Sequence, residues 1–313
     1  MNFNNRIFGV AVVKAINSNY NADFSGQPRR LPNGKVYATD KAFKYTVKNY
    51  IKDVFDKERV FYFKSLNDQM NPISLDESYK KHFGDYPKEK VKNNDRIIKT
   101  AVAKNLLSCI DIRLFGATFA GETNISVHGP VQINHGINIW HEDNIFTEQI
   151  TSPFSNKAND PEAEKGMTTI GRQSKLEEGH YVHHFSINPQ NLSDIASLAG
   201  EDAQSLSTED IDKLKEAMRR GVTWYDSASK AGSENELLLW VQLKKDSKIV
   251  LPNFTNLIKM QDEKQDGKVV YDFNNVTEIL DRNSDQIEKI ELYYNKVNTK
   301  VFNLPKNVLE NNL

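Results

Sequence analysis

The sequence is nearly without cysteine: Cys109 is the only one in 313 residues. A single thiol excludes an intramolecular disulfide and any zinc site built from several cysteines. Such a chain suits a reducing cytoplasm, and a cytoplasmic protein is expected. Long apolar runs are also missing. None approaches the roughly 20 residues that a membrane-spanning helix needs. The opening Met1-Asn2-Phe3-Asn4-Asn5-Arg6 has no basic segment leading into an apolar core, so neither a secretory signal nor a membrane association is expected. No Gly-x-Ser-x-Gly elbow is present, and Gly232-Ser233-Glu234-Asn235 is not a phosphate-binding loop. There is no repeat of solenoid period and no sustained heptad pattern. Nothing calls for a cofactor.

Net charge is also nearly absent, at −1, but it is unevenly spread. Residues 1–110 carry 20 Lys+Arg against 11 Asp+Glu, a balance of +9. Residues 111–313 carry 21 against 31, a balance of −10. A dipolar chain of this kind suits a basic face held against a polyanion, or copies stacked basic surface to acidic surface.

Arg6 to Ile16 reads as a strand. Residues 17–38 are loop, rich in Asn, Gly and Pro, with Asn33-Gly34 as a hairpin turn. Thr39 is an N-cap, with Asp40 in the first turn, for a helix to about Asp56. Residues 57–98 are heterogeneous and read as an inserted subdomain, because two regular elements rarely need a 40-residue connection. Thr100 to Leu107 suggests a short helix. Ile112-Arg113-Leu114-Phe115-Gly116-Ala117-Thr118-Phe119-Ala120 reads as a buried strand, a glycine turn and a second strand, closed by Gly129-Pro130-Val131-Gln132. Ser126 to Trp140 reads as a strand pair broken at Gly136. Residues 151–166 are polar and loop-like, and Thr168 to Ile170 and Tyr181 to Ile187 are strand-like. Ser207 and Asp210 have capping-box spacing for a helix to about Arg220. Glu236 to Leu243 is strand-like, and Ile258 to Met260 pairs with Val269 to Phe273 through a turn at Asp266-Gly267. The irregular alternation of strands and helices makes the fold class α+β.

The helix from Thr39 is the best local argument for function. At roughly 100° per residue, Phe43, Val47, Tyr50, Ile51 and Val54 share one side. Lys41, Lys44, Lys48 and Lys52 form a separate stripe with no acidic residue interleaved, a track for phosphates. The plainer reading of that stripe is a solvated helix face. Gln27-Pro28-Arg29-Arg30 adds two guanidiniums suited to bidentate phosphate contact. Asn17, Asn19, Asn21 and Tyr20 offer amides and an aromatic face of the sort that holds single-stranded RNA. His180 and His183 point to opposite faces of a strand, whereas His180 and His184 share one without a third ligand. His128, His135 and His141 are scattered through strand ends and turns. Structural or RNA-contact roles suit these histidines better than a metal site.

Several segments, in order, resemble one family. Asn17-Ser18-Asn19-Tyr20-Asn21-Ala22-Asp23 with Pro28-Arg29 is similar to an N-P-N-G-D-P-D loop and its later Pro-Arg, with Ser18, Tyr20 and Asn21 replacing the Pro, Gly and first Asp. Thr39 to Tyr50 resembles a T-D-x-x-L-K-R-x-I-R-N-Y helix, and Lys44 and Lys48 keep basic positions while Tyr45 departs from one. Asp111 to Ala117 is similar to D-x-R-L-F-G-A, and Gly129 to Gln132 to G-P-V-Q. Gly171-Arg172-Gln173-Ser174-Lys175 resembles an M-G-R-K turn, and Trp224 to Ser229 an H-D-x-S-A-x segment. Together they resemble the Cas-seven backbone subunit of type I CRISPR surveillance complexes (Cascade), most closely the type I-B branch, within the RAMP superfamily.

The resemblance implies an RRM-like (ferredoxin-like) palm over residues 1–56 and 99–313, a finger-type insertion at 57–98 and a thumb-type insertion within 151–180. It implies a non-catalytic subunit that polymerises head to tail along CRISPR RNA, beside other Cascade subunits, and leaves the guide bases free to pair with target DNA in antiviral defence. The expected RNA contacts are Asn17, Asn19, Arg29, Arg30, Lys41, Lys44, Lys48 and Arg172. Gly116 and the Gly129-Pro130 turn shape the RNA-facing surface. The alternative within the superfamily is an endoribonuclease that cuts target RNA with a loop aspartate, here Asp23. A stand-alone RRM-like protein is a third reading, disfavoured because the aromatic K/R-G-F-G-F-V strand is missing.

Overall fold

The computed structural model describes residues 1–92, 94–154 and 170–313. At its centre is β1 (Ile7–Ser18), whose sequence IFGVAVVKAINS is apolar on both faces, as a strand covered on both sides must be. In chain order follow β2 (Tyr37–Ala38), α1 (Asp40–Val54), α2 (Leu75–Phe83), β3 (Lys88–Val91), β4 (Asn94–Ile97), α3 (Lys99–Leu107), α4 (Ile110–Phe115), β5 (Gly116–Ala120) and β6 (Asn124–His128). Then come β7 (Val131–Ile133), β8 (Gly136–Asn138), β9 (Ile145–Thr151), β10 (Ile170–Ile187), α5 (Ser193–Ala199), α6 (Thr208–Trp224) and β11 (Ser233–Leu243). The remainder is β12 (Lys259–Met260), β13 (Val269–Asp272), α7 (Asn274–Arg282), β14 (Ile287–Tyr294), β15 (Thr299–Phe302) and β16 (Val308–Asn311).

The main sheet runs β16-β14-β11-β1-β10-β8-β2, with β7 and β9 also paired to β10. β1 is antiparallel to both β10 and β11. α1 lies in sequence between β1 and the β7/β8 edge, and α6 between β10 and β11. Alternate residues of β1 serve two different cores. Ile7, Ala11, Val13 and Ala15 join Phe43, Val47 and Ile51 of α1 and Leu214, Ala217 and Met218 of α6. Phe8, Val10 and Val12 join Phe254, Tyr271, Phe273 and Leu280 from the chain after β11. α1 and α6 cross closely at Gly221, where a Cβ would stand 2.8 Å from the Thr46 carbonyl oxygen.

Four expectations hold closely. Thr39 caps α1 by accepting from the Ala42 N–H. Ser207 and Asp210 form a reciprocal capping box on α6. α3 spans Lys99–Leu107. β12 pairs with β13, and Asp266 and Gly267 both take positive φ (51° and 75°), as the tight turn requires.

Others are corrected. Ile110–Phe115 is a helix, not a strand, and the chain becomes extended only at Gly116. A short apolar run does not reveal its period, and here the helix spacing is needed to turn Asp111 and Arg113 to different partners. β7 and β8 do not pair with each other, because both lie along β10. β10 is a single strand that begins at Ile170, so the expected strand at Thr168–Ile170 lies outside the described residues except for its last position, and residues 155–166 lie wholly outside them. The 57–98 excursion contains α2 and the β3–β4 ribbon, and its Phe61, Tyr79 and Tyr86 pack in the core with Phe119 of β5.

The histidines of β10 divide as the alternation requires. His183 stacks on Phe43 on the helix side, at a centroid distance of 5.0 Å, and burial pushes its pKa down to about 4. His184 faces the other core, and its pKa is also lowered to about 4 by burial. His180 is fully buried, with Nδ1 2.5 Å from Glu236 and Nε2 3.1 Å from Glu178. Burial opposes its charge, but the Glu236 and Glu178 carboxylates outweigh burial and raise its pKa. The Tyr271 hydroxyl donates to Glu236 at 2.7 Å and so ties the β13 segment to the central sheet.

Candidate nucleic-acid interface

The loop after β1 spends most of its polar side chains on itself. Asn17 is exposed, with φ +47°. Asn19 is buried, and its amide donates to the carbonyls of Gly26 (3.0 Å) and Ser174 (3.1 Å). Tyr20 is fully buried against Tyr181 and His183. Asn21 Oδ1 accepts from the Thr39 N–H (2.9 Å) and hydroxyl (3.0 Å), which fixes the entry to α1. Asn19 and Tyr20 therefore shape this surface from beneath, contrary to the expectation that they face a ligand. A compact loop must satisfy its own backbone groups, and short amides do so at little cost. Asp23 has the same kind of task. Its Oδ1 accepts from Ser25 N, Ser25 Oγ and Gln27 N, and the Ser25 hydrogen bond leads in lowering its pKa.

The two arginines are oriented at this surface by backbone carbonyls. Arg29 Nε donates to the Ala22 carbonyl at 3.0 Å. Arg30 is exposed and donates to the carbonyls of Gly34 (2.6 Å) and Asp143 (3.0 Å). Carbonyl partners orient a guanidinium without neutralising it. The start of β10 is drawn to this loop by Asn19 and by Gln27, whose amide donates to Ser174 Oγ at 2.6 Å. Arg172 is exposed on β10 two positions before Ser174, opposite Gln149 of β9.

The lysines of α1 do not form a uniform row. Asp40 sits at its first turn, 3.3 Å from Lys41 Nζ and 3.1 Å from Lys44 Nζ. Burial opposes the charge of Asp40, but the two lysines outweigh it and lower its pKa. The Lys41 side chain is 83% exposed, against 18% for Lys44. Lys48 turns inward and donates to the Tyr62 carbonyl at 2.6 Å, and burial lowers its pKa. Lys52 pairs with Asp53 and lies 5.3 Å over the Phe63 ring. Lys48 is diverted because the segment after α1 folds back over the second half of the helix, a docking that helical periodicity does not report.

That segment adds a feature absent from the sequence-based expectation. Tyr45 stacks on Phe63 (5.0 Å, 17°) and meets Tyr225 edge-on (5.1 Å, 80°). A groove of about 430 Å³ beside them is lined by Lys48, Tyr62 and Lys64 among others. Tyr45 is the position noted above as departing from a basic residue, and that departure was the available signal.

The segment with the clearest motif faces protein. Asp111 is buried and accepts from the N–H groups of Phe61 and Tyr62, each at 2.8 Å, while burial raises its pKa. Arg113 donates to both Asp210 oxygens (3.0 and 2.7 Å) and also to Leu107 O and Gln204. Gly116 (φ +73°) and Gly129 meet backbone to backbone. A Cβ on Gly129 would stand 2.0 Å from the Phe115 carbonyl carbon. The glycines thus hold the base of the β5–β6 hairpin against the end of α4.

The cations of this region come from the 17–38 loop (Arg29 and Arg30) and the first turns of α1 (Lys41 and Lys44), and Arg172 is exposed on β10. Among the described residues, no three His, Cys, Asp or Glu side chains converge as metal ligands.

No curated protein matches this sequence. Among solved structures, one chain of a "CRISPR RNA-guided surveillance complex, pre-nicking" superposes with a TM-score of 0.59 at 13% identity, covering 98% of this chain and 96% of that one. A chain of another "CRISPR RNA-guided surveillance complex" aligns more loosely, at TM-score 0.49 and 13% identity over 94% and 95% of the two chains. The first likeness shows a shared fold. The sequence model of the family described as CRISPR-associated protein Cas7 matches residues 5–280, and the chain belongs to that family.

Proposed function

We propose that this protein is a non-catalytic subunit that binds CRISPR RNA by its backbone, polymerises head to tail along it, and forms the spine of a type I-B-like Cascade that recognises target DNA through the guide. The carrying observation is the set of cations on the loop after β1 and at the start of α1: Arg29 and Arg30 oriented by backbone carbonyls, and Lys41, 83% exposed beside the Asp40 carboxylate it shares with Lys44. Phosphate contacts position a nucleic acid without reading its sequence, as a subunit that accepts any guide requires.

The fold supports this reading. The order β11-β1-β10-β7/β8, with α1 and α6 as the intervening helices, fits an RRM-like palm, with 57–98 as the finger and the insertion within 151–180 as the thumb. In an RRM the open sheet face stacks bases. Here that face is filled by the chain after β11, so the RNA path is assigned to the loop and α1 edge. Asp23, the aspartate of the alternative nuclease reading, serves as a turn cap. The lone Cys109 is buried, its thiol pushed up to about 12 by burial.

The test is expression beside a CRISPR array, purification, and sequencing of the retained RNA. Wild type is expected to carry RNAs with constant repeat-derived ends. Arg30→Glu with Lys41→Glu is expected to emerge folded by circular dichroism and without RNA. Full RNA retention by the folded double variant refutes the assignment.

A further inference from the structure

A buried charge cluster outside the proposed RNA surface joins three parts of the chain. His180 of β10 is fully buried, with Nδ1 2.5 Å from Glu236 and Nε2 3.1 Å from Glu178. Glu236, also buried, is the extra residue of a bulge, where the register of β1 on β11 passes from Val12↔Leu237 to Val13↔Asn235. A bulge re-aims a side chain, and this one turns a carboxylate toward the core that holds Tyr271. The Tyr271 hydroxyl of β13 donates to the same Glu236 oxygen at 2.7 Å. Lys264, between β12 and β13, pairs with Glu178 at 2.8 Å and lies over the Trp140 ring, which packs on the His180 ring.

The two contacts fix the protonation of the ring. A neutral imidazole has one N–H and one lone pair, so it donates to one carboxylate and turns the lone pair on the other. A carboxylate at each nitrogen requires both nitrogens to donate, which makes the ring an imidazolium. Burial opposes that charge, but Glu236 and Glu178 outweigh it. Burial also opposes the charge of Glu178, but His180 and Lys264 lower its pKa to about 2, so Glu178 brings no proton of its own. Lys14 of β1 pairs with Glu234 of β11 at 2.7 Å, and beside Trp140, His141 lies 3.6 Å from Glu142. Among the described residues, the imidazolium is the only cation paired with Glu236, and Glu236 Oε1 has no hydrogen-bond partner.

We infer that His180 is a proton-operated clasp: its charged ring holds the β12–β13 segment over the sheet, and loss of the proton releases that segment and bares the face formed by Phe8, Val10 and Val12. Without the proton, Glu236 is a buried carboxylate with no counter-charge, a state that is relieved only by admitting water. The β12–β13 segment is the part that gives way. β10 and β11 are each bonded to β1 along their length, whereas β12, β13 and β15 form a three-stranded sheet of their own. The His180 pKa is raised above its ordinary 6.5, so the hold is complete below pH 6.5 and is lost as pH rises through the folded value. Between those two values, opening gains about tenfold per pH unit, the linkage of one proton. The clasp is independent of the RNA-binding reading.

The test is hydrogen–deuterium exchange with mass spectrometry on the full chain from about pH 6 to about pH 9, corrected for the intrinsic pH dependence of exchange. In wild type, protection of the β12–β13 segment is expected to fall by up to about tenfold per pH unit above 6.5, while α6 keeps its protection. His180→Gln keeps one donor and cannot be charged, so its β12–β13 segment is expected to be poorly protected already at the lowest pH, with no slope. Glu178→Gln leaves the ring one carboxylate and is expected to move the fall to lower pH. Tyr271→Phe is expected to lower protection throughout and to keep the slope, since the ring stays charged. Flat protection of the segment in wild type overturns the inference, as does a parallel loss in α6, which marks global unfolding. So does an unchanged fall in folded Glu178→Gln, a variant that keeps the test open even where His180→Gln fails to fold.

Discussion

Two regions use the same residue types for opposite ends. In residues 109–132, Asp111 and Arg113 are buried and satisfied by backbone groups, Asp210 and Gln204. In residues 17–44, Arg29, Arg30 and Lys41 are not buried and are steered by carbonyls or by one aspartate shared between two lysines. The first region carries the most recognisable motif and touches only protein. A motif of this kind reports what the fold requires, whereas the candidate ligand surface is built from cations that the fold itself does not bury.

Breaking the buried knot is expected to have the largest effect. Arg113→Ala leaves the Asp210 carboxylate buried without its main partner and is expected to destabilise the protein by about 3–5 kcal/mol in urea unfolding. Arg113→Lys is expected to recover only part of this, since an ammonium cannot reproduce the two-point contact. A loss below about 1 kcal/mol would show that the knot is not buried as described.

A pH series separates the two regions by sign. Asp40 has a lowered pKa, so its stabilisation is present above the unfolded value of 3.8 and is lost as pH falls through the folded value. The stability gap between wild type and Asp40→Asn should therefore shift against wild type on acidification. Asp111 has a raised pKa, so its contribution is present below 3.8 and is lost as pH rises through the folded value. Wild type should gain on Asp111→Asn as the medium is acidified. Slopes of the same sign in the two comparisons would remove the contrast.

The smallest effect probes the surface alone. Lys41→Ala is expected to leave the unfolding midpoint unchanged and to lower the slope of log affinity for single-stranded RNA against log salt by about 0.7, the share of one phosphate contact. Lys48→Ala should move the midpoint instead, because its ammonium holds the Tyr62 carbonyl.

α1 was legible because its cap, its apolar period and its length are all local. The capping box of α6 and the Asp266-Gly267 turn were legible for the same reason. α4 was not, because Ile110–Phe115 is too short to display a period and its identity depends on Asp210, far along the chain. The inward turn of Asn19, Tyr20 and Lys48 was hidden because each answers to a carbonyl or core supplied from elsewhere. Apart from the Asp266-Gly267 turn, the region after residue 245 matches no motif of the family, yet it pairs β14 to β11 in the register Leu237↔Tyr294 and covers one face of the sheet. The candidate site was thus readable in its cations and unreadable in its geometry.

The two-sided burial of β1 has a consequence for synthesis. This strand is made well before the Phe254, Tyr271 and Leu280 side chains that cover Phe8, Val10 and Val12. At about 5–20 residues per second, the outer face of β1 waits roughly 15–55 s, until β14 is translated, before its cover can close. During that interval the nascent chain carries an open apolar strand, so prompt capture by a chaperone or by neighbouring subunits would govern the yield of assembled protein as much as the final stability does.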